Sequence, residues 1–104
     1  MEVAVAELND IEPGGLLAVT AGGYDLVLFR HGDGTVSALQ DCCSHAEVAL
    51  SGGEFADGVV QCPAHGARFD VRSGRHLCMP AVKGVRSFEA RIRDGKIVVI
   101  LPDE

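Results

Sequence analysis

Tryptophan is absent from this chain, and a single tyrosine accompanies four phenylalanines. The hydrophobic content is nevertheless 47%, carried largely by valine, leucine and alanine. At 104 residues, that supports one domain with a modest core. No apolar run approaches the roughly 18 to 20 residues that a membrane-spanning helix needs. Met1-Glu2-Val3-Ala4 also lacks the basic segment and apolar stretch of a secretory signal. These absences predict a cytoplasmic protein that does not engage a membrane. Without a secretory signal, the four cysteines argue against a disulfide framework and for metal binding.

Positive charge is scarce in the first sixty residues, where Arg30 alone stands against ten Asp and Glu. Residues 61–104 reverse the balance, with eight Lys and Arg against five Asp and Glu. The net charge of -6 disfavours nucleic acid as a partner, because phosphate binding needs a basic surface. An acidic half can steer a basic partner or simply be a solvated face, and charge alone does not choose between them.

What is present reads as strand. Glycine is frequent, at thirteen residues scattered along the chain, which suits many short elements joined by turns. Glu2–Leu8 alternates in polarity, Leu16–Thr20 and Tyr24–Arg30 are compact apolar runs, and Thr35–Leu39 follows the turn His31-Gly32-Asp33-Gly34. Near the other end, Val85–Ile92 alternates and Lys96–Leu101 is β-branched. Arg93-Asp94-Gly95-Lys96 between them is the strongest hairpin signal. Residues 41–80 differ. Short apolar pieces, Val59-Val60-Gln61 and Arg68-Phe69-Asp70-Val71, lie between loops rich in Gly, Ser, Cys and His. Helical periodicity is weak throughout, and Ala46–Leu50 can make one short turn at most. The expectation is an all-β framework built from both ends of the chain, carrying a loop-rich insert where binding groups sit.

Inside that insert lie Cys43-Ser44-His45 and Cys62-Pro63-Ala64-His65, with sixteen residues between His45 and Cys62. Each short unit places a thiolate and an imidazole close enough to share a metal centre. Two thiolates and two imidazoles suit tetrahedral zinc as well as iron-sulfur chemistry. Common two-Cys, two-His zinc fingers pair like with like, however, and here each unit is mixed. One Cys from each unit on one iron and one His from each on the other is the ligation of a Rieske centre.

The segment Cys43–Gly74 resembles the Rieske ferredoxin family in C-S-H, Leu50, Gly53, C-P-A-H-G, Phe69-Asp70 and Ser73-Gly74. Met79-Pro80-Ala81 is similar to the Pro-containing loop that covers the cluster in that family. The resemblance implies one [2Fe-2S] cluster of Rieske type, with Cys43, His45, Cys62 and His65 as its ligands. It implies a Rieske-type fold over residues 1–104: an antiparallel β-sandwich or barrel-like base (1–40 and 81–104) and a small cluster-binding part (41–80). It further implies an electron carrier, not an enzyme, passing single electrons from a flavin-dependent ferredoxin reductase to the terminal oxygenase of an aromatic-ring dioxygenase system; a shuttle that must release its partners is expected to be a monomer. Two other readings remain: the small subunit of another redox enzyme such as a nitrite reductase, and a zinc-stabilised binding module.

Other residues carry weaker signals. Cys42 misses the C-x-H spacing, and Cys78 reads as a small buried residue. His31 and His76 read as surface residues. Arg68, Arg72 and Arg75 read as surface charge, while Asp41, Glu47 and Glu54 are open as docking contacts. Respiratory and photosynthetic Rieske proteins carry an extra disulfide-bonded cysteine in each cluster loop, where this chain has Val48 and Ala64. They also place Ser and Tyr hydroxyls on the cluster and cysteine sulfurs, where this chain has Ala67 and Phe69. Fewer hydrogen bonds to sulfur leave the reduced cluster less stabilised. The midpoint potential is therefore expected between about -150 mV and zero. A redox titration giving a value above roughly +150 mV contradicts this reading.

Overall fold

Leu26, Val27, Leu28 and Phe29 follow one another in sequence, and all four are fully buried. A strand that buries one face alternates in polarity, so an unbroken apolar run signals burial on both faces. The computed structural model, which describes residues 1–43, 48–63, 66–77 and 84–102, shows how this is achieved. Its strands are β1 (Glu2–Glu7), β2 (Leu16–Ala21), β3 (Tyr24–Arg30), β4 (Val36–Gln40), β5 (Glu54–Ala56), β6 (Val59–Gln61), β7 (Arg68–Asp70), β8 (Ser87–Phe88), β9 (Ala90–Arg93) and β10 (Lys96–Ile100). They form three antiparallel sheets, ordered β1-β10-β9, β2-β3-β4-β8 and β5-β6-β7. No helix among the described residues is long and apolar enough to cross a membrane.

The β2-β3-β4-β8 sheet is the shared wall of two cores. Leu26, Leu28 and Ala38 join Ile97, Val99 and Leu101 of the C-terminal strand region in one cluster. Val27, Phe29 and Leu39, which point to the other face, join Val60, Phe69, Cys43 and Cys62 in the second. The first core makes the base a sandwich, and the second attaches the β5-β6-β7 sheet. Arg30 ties the N-terminal turn to this wall, its Nη1 donating to the Ile11 carbonyl at 2.8 Å.

Turn chemistry follows the sequence closely. Asp94 and Gly95 both have positive φ, 52° and 75°, as a two-residue type I′ hairpin requires. Asp57 and Gly58 do the same at 53° and 77°, joining β5 to β6. The β5 strand itself carried no expectation from sequence.

Two expectations need correction. The continuous strand expected over Val85–Ile92 is split at Glu89, because Ser87–Phe88 pairs with β4 whereas Ala90–Arg93 pairs with β10. The Glu89 carbonyl marks the corner, accepting the Ile100 N–H at 2.9 Å. His31, expected at the surface, is only 6% exposed. Its Nε2 lies 2.6 Å from the Ser37 hydroxyl, and its ring meets Phe55 edge-on. The hydroxyl gives the imidazole the partner that burial requires.

Near the return to the base the chain crosses itself closely. Gly74 has φ +78°, and its carbonyl accepts the Val85 N–H at 2.8 Å. A Cβ at Gly74 would stand 2.1 Å from the Val85 carbonyl oxygen. Gly74→Ala therefore combines a left-handed backbone with overpacking and is expected to destabilise the fold by about 2 to 4 kcal/mol. Urea denaturation should show the loss as a lower midpoint at unchanged m value.

Candidate metal centre

Both motif cysteines sit where a strand runs out into a loop. Cys62 directly follows β6, and Cys43 lies three residues beyond the end of β4. Each closes its loop in the same way. The Cys43 N–H donates to the Val48 carbonyl at 2.8 Å, and the Cys62 N–H donates to the Ala67 carbonyl at 2.7 Å. Two loops of equal span thus leave one core, each starting at a cysteine. His45 lies within the first by sequence and His65 within the second, but both fall outside the described residues. So do Glu47, Ala64, Cys78 and the Met79-Pro80-Ala81 stretch.

The two cysteines share surroundings as well as geometry. Cys43 is 3% exposed and Cys62 1%, and both belong to the cluster that contains Leu50, Val60, Ala67 and Phe69. Thiolate sulfur is the form that binds a metal cation, which takes up its charge. Two buried cysteines of one apolar cluster, each opening a short tied loop, suit an iron held through thiolates. The geometry thus meets the chemical demand of the donor set on its thiolate side.

Cys42 is half-buried and stands outside that apolar cluster, with its Sγ 3.6 Å from the Cys43 carbonyl oxygen. The carboxylate of Asp41 is engaged within the chain. Its Oδ1 accepts the Ser51 N–H and its Oδ2 accepts the Ser51 hydroxyl, both at 2.7 Å. Asp70 makes a shorter-range version, accepting the Ser73 N–H at 3.0 Å and its hydroxyl at 2.7 Å. The D-x-x-S spacing of Asp70 and Ser73 is a local turn signal visible in sequence. Asp41 and Ser51 are ten residues apart and carry no such signature. Glu54 is exposed and, with Gly53, Gln61 and Pro63, lines a shallow groove of about 270 Å³ that passes Cys62.

The three arginines near the second loop are exposed, as expected. Arg68 donates to the Gln61 side chain at 3.4 Å, and Arg72 lies 3.5 Å from Asp33. His76 is half-buried and bridges Phe69 in the sheet. Burial, with the nearby Arg72 charge, lowers the His31 pKa from its ordinary value, although Asp33 and Asp70 pull the other way. That favours a neutral imidazole packed on Phe55, serving the contact between the β3–β4 hairpin and the third sheet.

Comparison with known proteins bears on what the pocket holds. The profile of the Rieske [2Fe-2S] domain matches residues 1–89. The anthranilate 1,2-dioxygenase ferredoxin subunit of Burkholderia cepacia is 38% identical over 96 residues, covering 92% of this chain and 85% of that protein. The solved ferredoxin of carbazole 1,9a-dioxygenase from Nocardioides aromaticivorans superposes with a TM-score of 0.90 at 36% identity, covering 95% of this chain and 96% of that one. A chain in the complex of reduced oxygenase and oxidized ferredoxin in carbazole 1,9a-dioxygenase gives 0.87 at 30% identity, with 94% and 91% covered. A profile match over most of the chain, on a frame superposing this closely, leaves one assignment: the protein belongs to the Rieske [2Fe-2S] family, and its cofactor is one such cluster.

Proposed function

We propose that this protein is a soluble, cytoplasmic, monomeric electron carrier that takes single electrons from a flavin-dependent ferredoxin reductase. It passes them to the terminal non-haem iron oxygenase of an aromatic-ring hydroxylating dioxygenase system. The observation that carries this reading is the pair of equal loops, each opening on a buried cysteine of one apolar cluster. The relatives named as dioxygenase ferredoxins supply the pathway. In this reading Cys43 and Cys62 hold one iron, and His45 and His65 hold the other. The bound cluster supplies a one-electron couple of Rieske type.

The remaining work falls to the chain. The Cys43 and Cys62 backbone bonds hold the loops shut, so the sulfurs are presented without reorganisation. Val60, Ala67 and Phe69 exclude water from the sulfur side. The pocket serves electron passage and not bond-making in substrate, which suits a carrier that leaves catalysis to its partner. A zinc module built on the same four residues is the competing reading, and colour separates the two.

The purified protein is expected to be red-brown and, once reduced, to give the low-g EPR signal of a Rieske centre. Added to a matching reductase and oxygenase, it should restore substrate turnover that the two lack alone. A colourless, EPR-silent protein containing zinc would refute the proposal. A second expectation concerns the apolar sulfur environment. Ala67→Ser and Phe69→Tyr each place a hydroxyl in the cluster that holds both cysteines. A new hydrogen bond to sulfur worth about 1 kcal/mol in the reduced form alone raises the midpoint by roughly 40 mV, readable by voltammetry.

A further inference from the structure

We infer that Asp41 is a positioning residue: by gripping Ser51 it fixes the separation of the two cysteine-bearing loops. The inference rests on the proposed ligation by Cys43, His45, Cys62 and His65, and concerns how the chain holds those ligands apart. Asp41 leaves the central sheet at the end of β4, and its own N–H donates to the Asp25 carbonyl at 2.8 Å. Its backbone is therefore part of the base. Its side chain reaches forward across the first loop and takes both the amide and the hydroxyl of Ser51, each at 2.7 Å. Cys43 lies two residues past this anchor.

Ser51 is equally well placed to act on the second loop. It stands in the 3-10 turn Leu50–Gly52, whose Leu50 side chain is fully buried in the cluster with Cys43 and Cys62. One residue beyond this turn, Gly53 is in backbone contact with Gln61. A Cβ at Gly53 would stand 1.9 Å from the Gln61 carbonyl oxygen. Gln61 immediately precedes Cys62. A short chain of contacts thus runs from the base sheet through Asp41 and Ser51 to Gly53, Gln61 and the second cysteine. The hydrogen bond from the Cys43 amide to Val48 closes the first loop but does not register it against the second. The Asp41 clamp supplies that register. Both carboxylate oxygens serve Ser51, so the side chain is held in one orientation by the clamp.

Three variants separate positioning from charge. Asp41→Ala removes both bonds. Asp41→Asn removes the charge but keeps the geometry, since its Oδ1 accepts the Ser51 N–H and its Nδ2 donates to the Ser51 hydroxyl. Ser51→Ala removes one bond and leaves the backbone intact. Cluster release to an iron chelator and the EPR line shape of the reduced protein are measured for each, with the wild type alongside. Asp41→Ala is expected to release its cluster about tenfold faster than wild type, with a broadened signal, as for loss of a group that orients metal ligands. Ser51→Ala should fall between the two, and Asp41→Asn should stay close to wild type. Wild-type release and line shape in both alanine variants would overturn the inference. So would Asp41→Asn behaving like Asp41→Ala, which would assign the effect to charge. Should Asp41→Ala not fold, Ser51→Ala against Asp41→Asn decides by the same criteria. Absence of a Rieske signal in the wild type itself would instead remove the ligation on which the inference rests.

Discussion

Burial of the central sheet on both faces is the constraint from which the rest of the molecule follows. Leu26 and Leu28 face the base sandwich, while Val27 and Phe29 face the third sheet. Each buried side chain of this size stabilises the fold by about 1.5 to 3 kcal/mol relative to exposure. Neither face can be left bare, so β5-β6-β7 is the cover that the inner wall requires. Cys62 lies at the end of a strand of this cover, and Cys43 on the loop that leaves the central sheet. Cys43 and Cys62 are among the buried residues that complete the second core, so the candidate site and the packing of the fold share atoms.

The uneven charge of the sequence looks different once its carboxylates are placed. Glu2 takes Arg93 in a two-pronged contact at 2.7 and 3.3 Å, and Arg91 lies between Glu2 and Glu89. Asp10 accepts the Glu7 N–H, Asp25 accepts the Thr20 hydroxyl, and Asp33 holds both the amide and the hydroxyl of Thr35. Those Thr35 bonds, aided by Arg72, keep the Asp33 carboxyl below its usual range. Several acids of the first sixty residues are thus fasteners of turns and strands. Exposed ion pairs such as Arg93–Glu2 contribute at most about 1 kcal/mol each, so they tune this surface without holding the fold together. Asp10 and Asp25 keep their charge in these bonds, and among the acids named from the first sixty residues only Glu2 and Asp33 also face a guanidinium.

Legibility tracked the range of the interaction that decides each element. Tyr24–Arg30 was visible because its apolar run is itself the cause of its double burial. The Asp94-Gly95 hairpin was visible because its backbone demands those residue types. Asp57-Gly58 carries the same signal, but the strand before it, Glu54–Ala56, is only three residues long and hides behind Gly52-Gly53. Glu89 breaks an alternating run for a reason that lies in two other strands, β4 and β10. His31 is buried because Ser37 and Phe55 come to it from elsewhere in the fold. At the candidate metal centre, the sequence offered the Cys43 and Cys62 motifs, and the structure buries both cysteines in one cluster. The Asp41–Ser51 clamp was not legible, since it spans the first loop and leaves no periodic trace.

The same economy of interactions links packing to redox character. Both cysteine amides are engaged in closing their loops, so those N–H groups are directed at the Val48 and Ala67 carbonyls. The side chains filling the adjacent space, Ala67 and Phe69, bring no hydroxyl. Each of these features helps the core: a methyl and a phenyl ring pack without a buried polar group to satisfy, which would otherwise cost about 1 to 3 kcal/mol. Each also withholds stabilisation from the negative charge that reduction adds near the sulfurs. A chain of this size has little core to spare, and on the proposed ligation an apolar sulfur pocket that strengthens that core is also expected to make electron uptake harder. On the proposed ligation by Cys43 and Cys62, a fully packed second core and the expected low potential are one physical choice, made at positions 67 and 69.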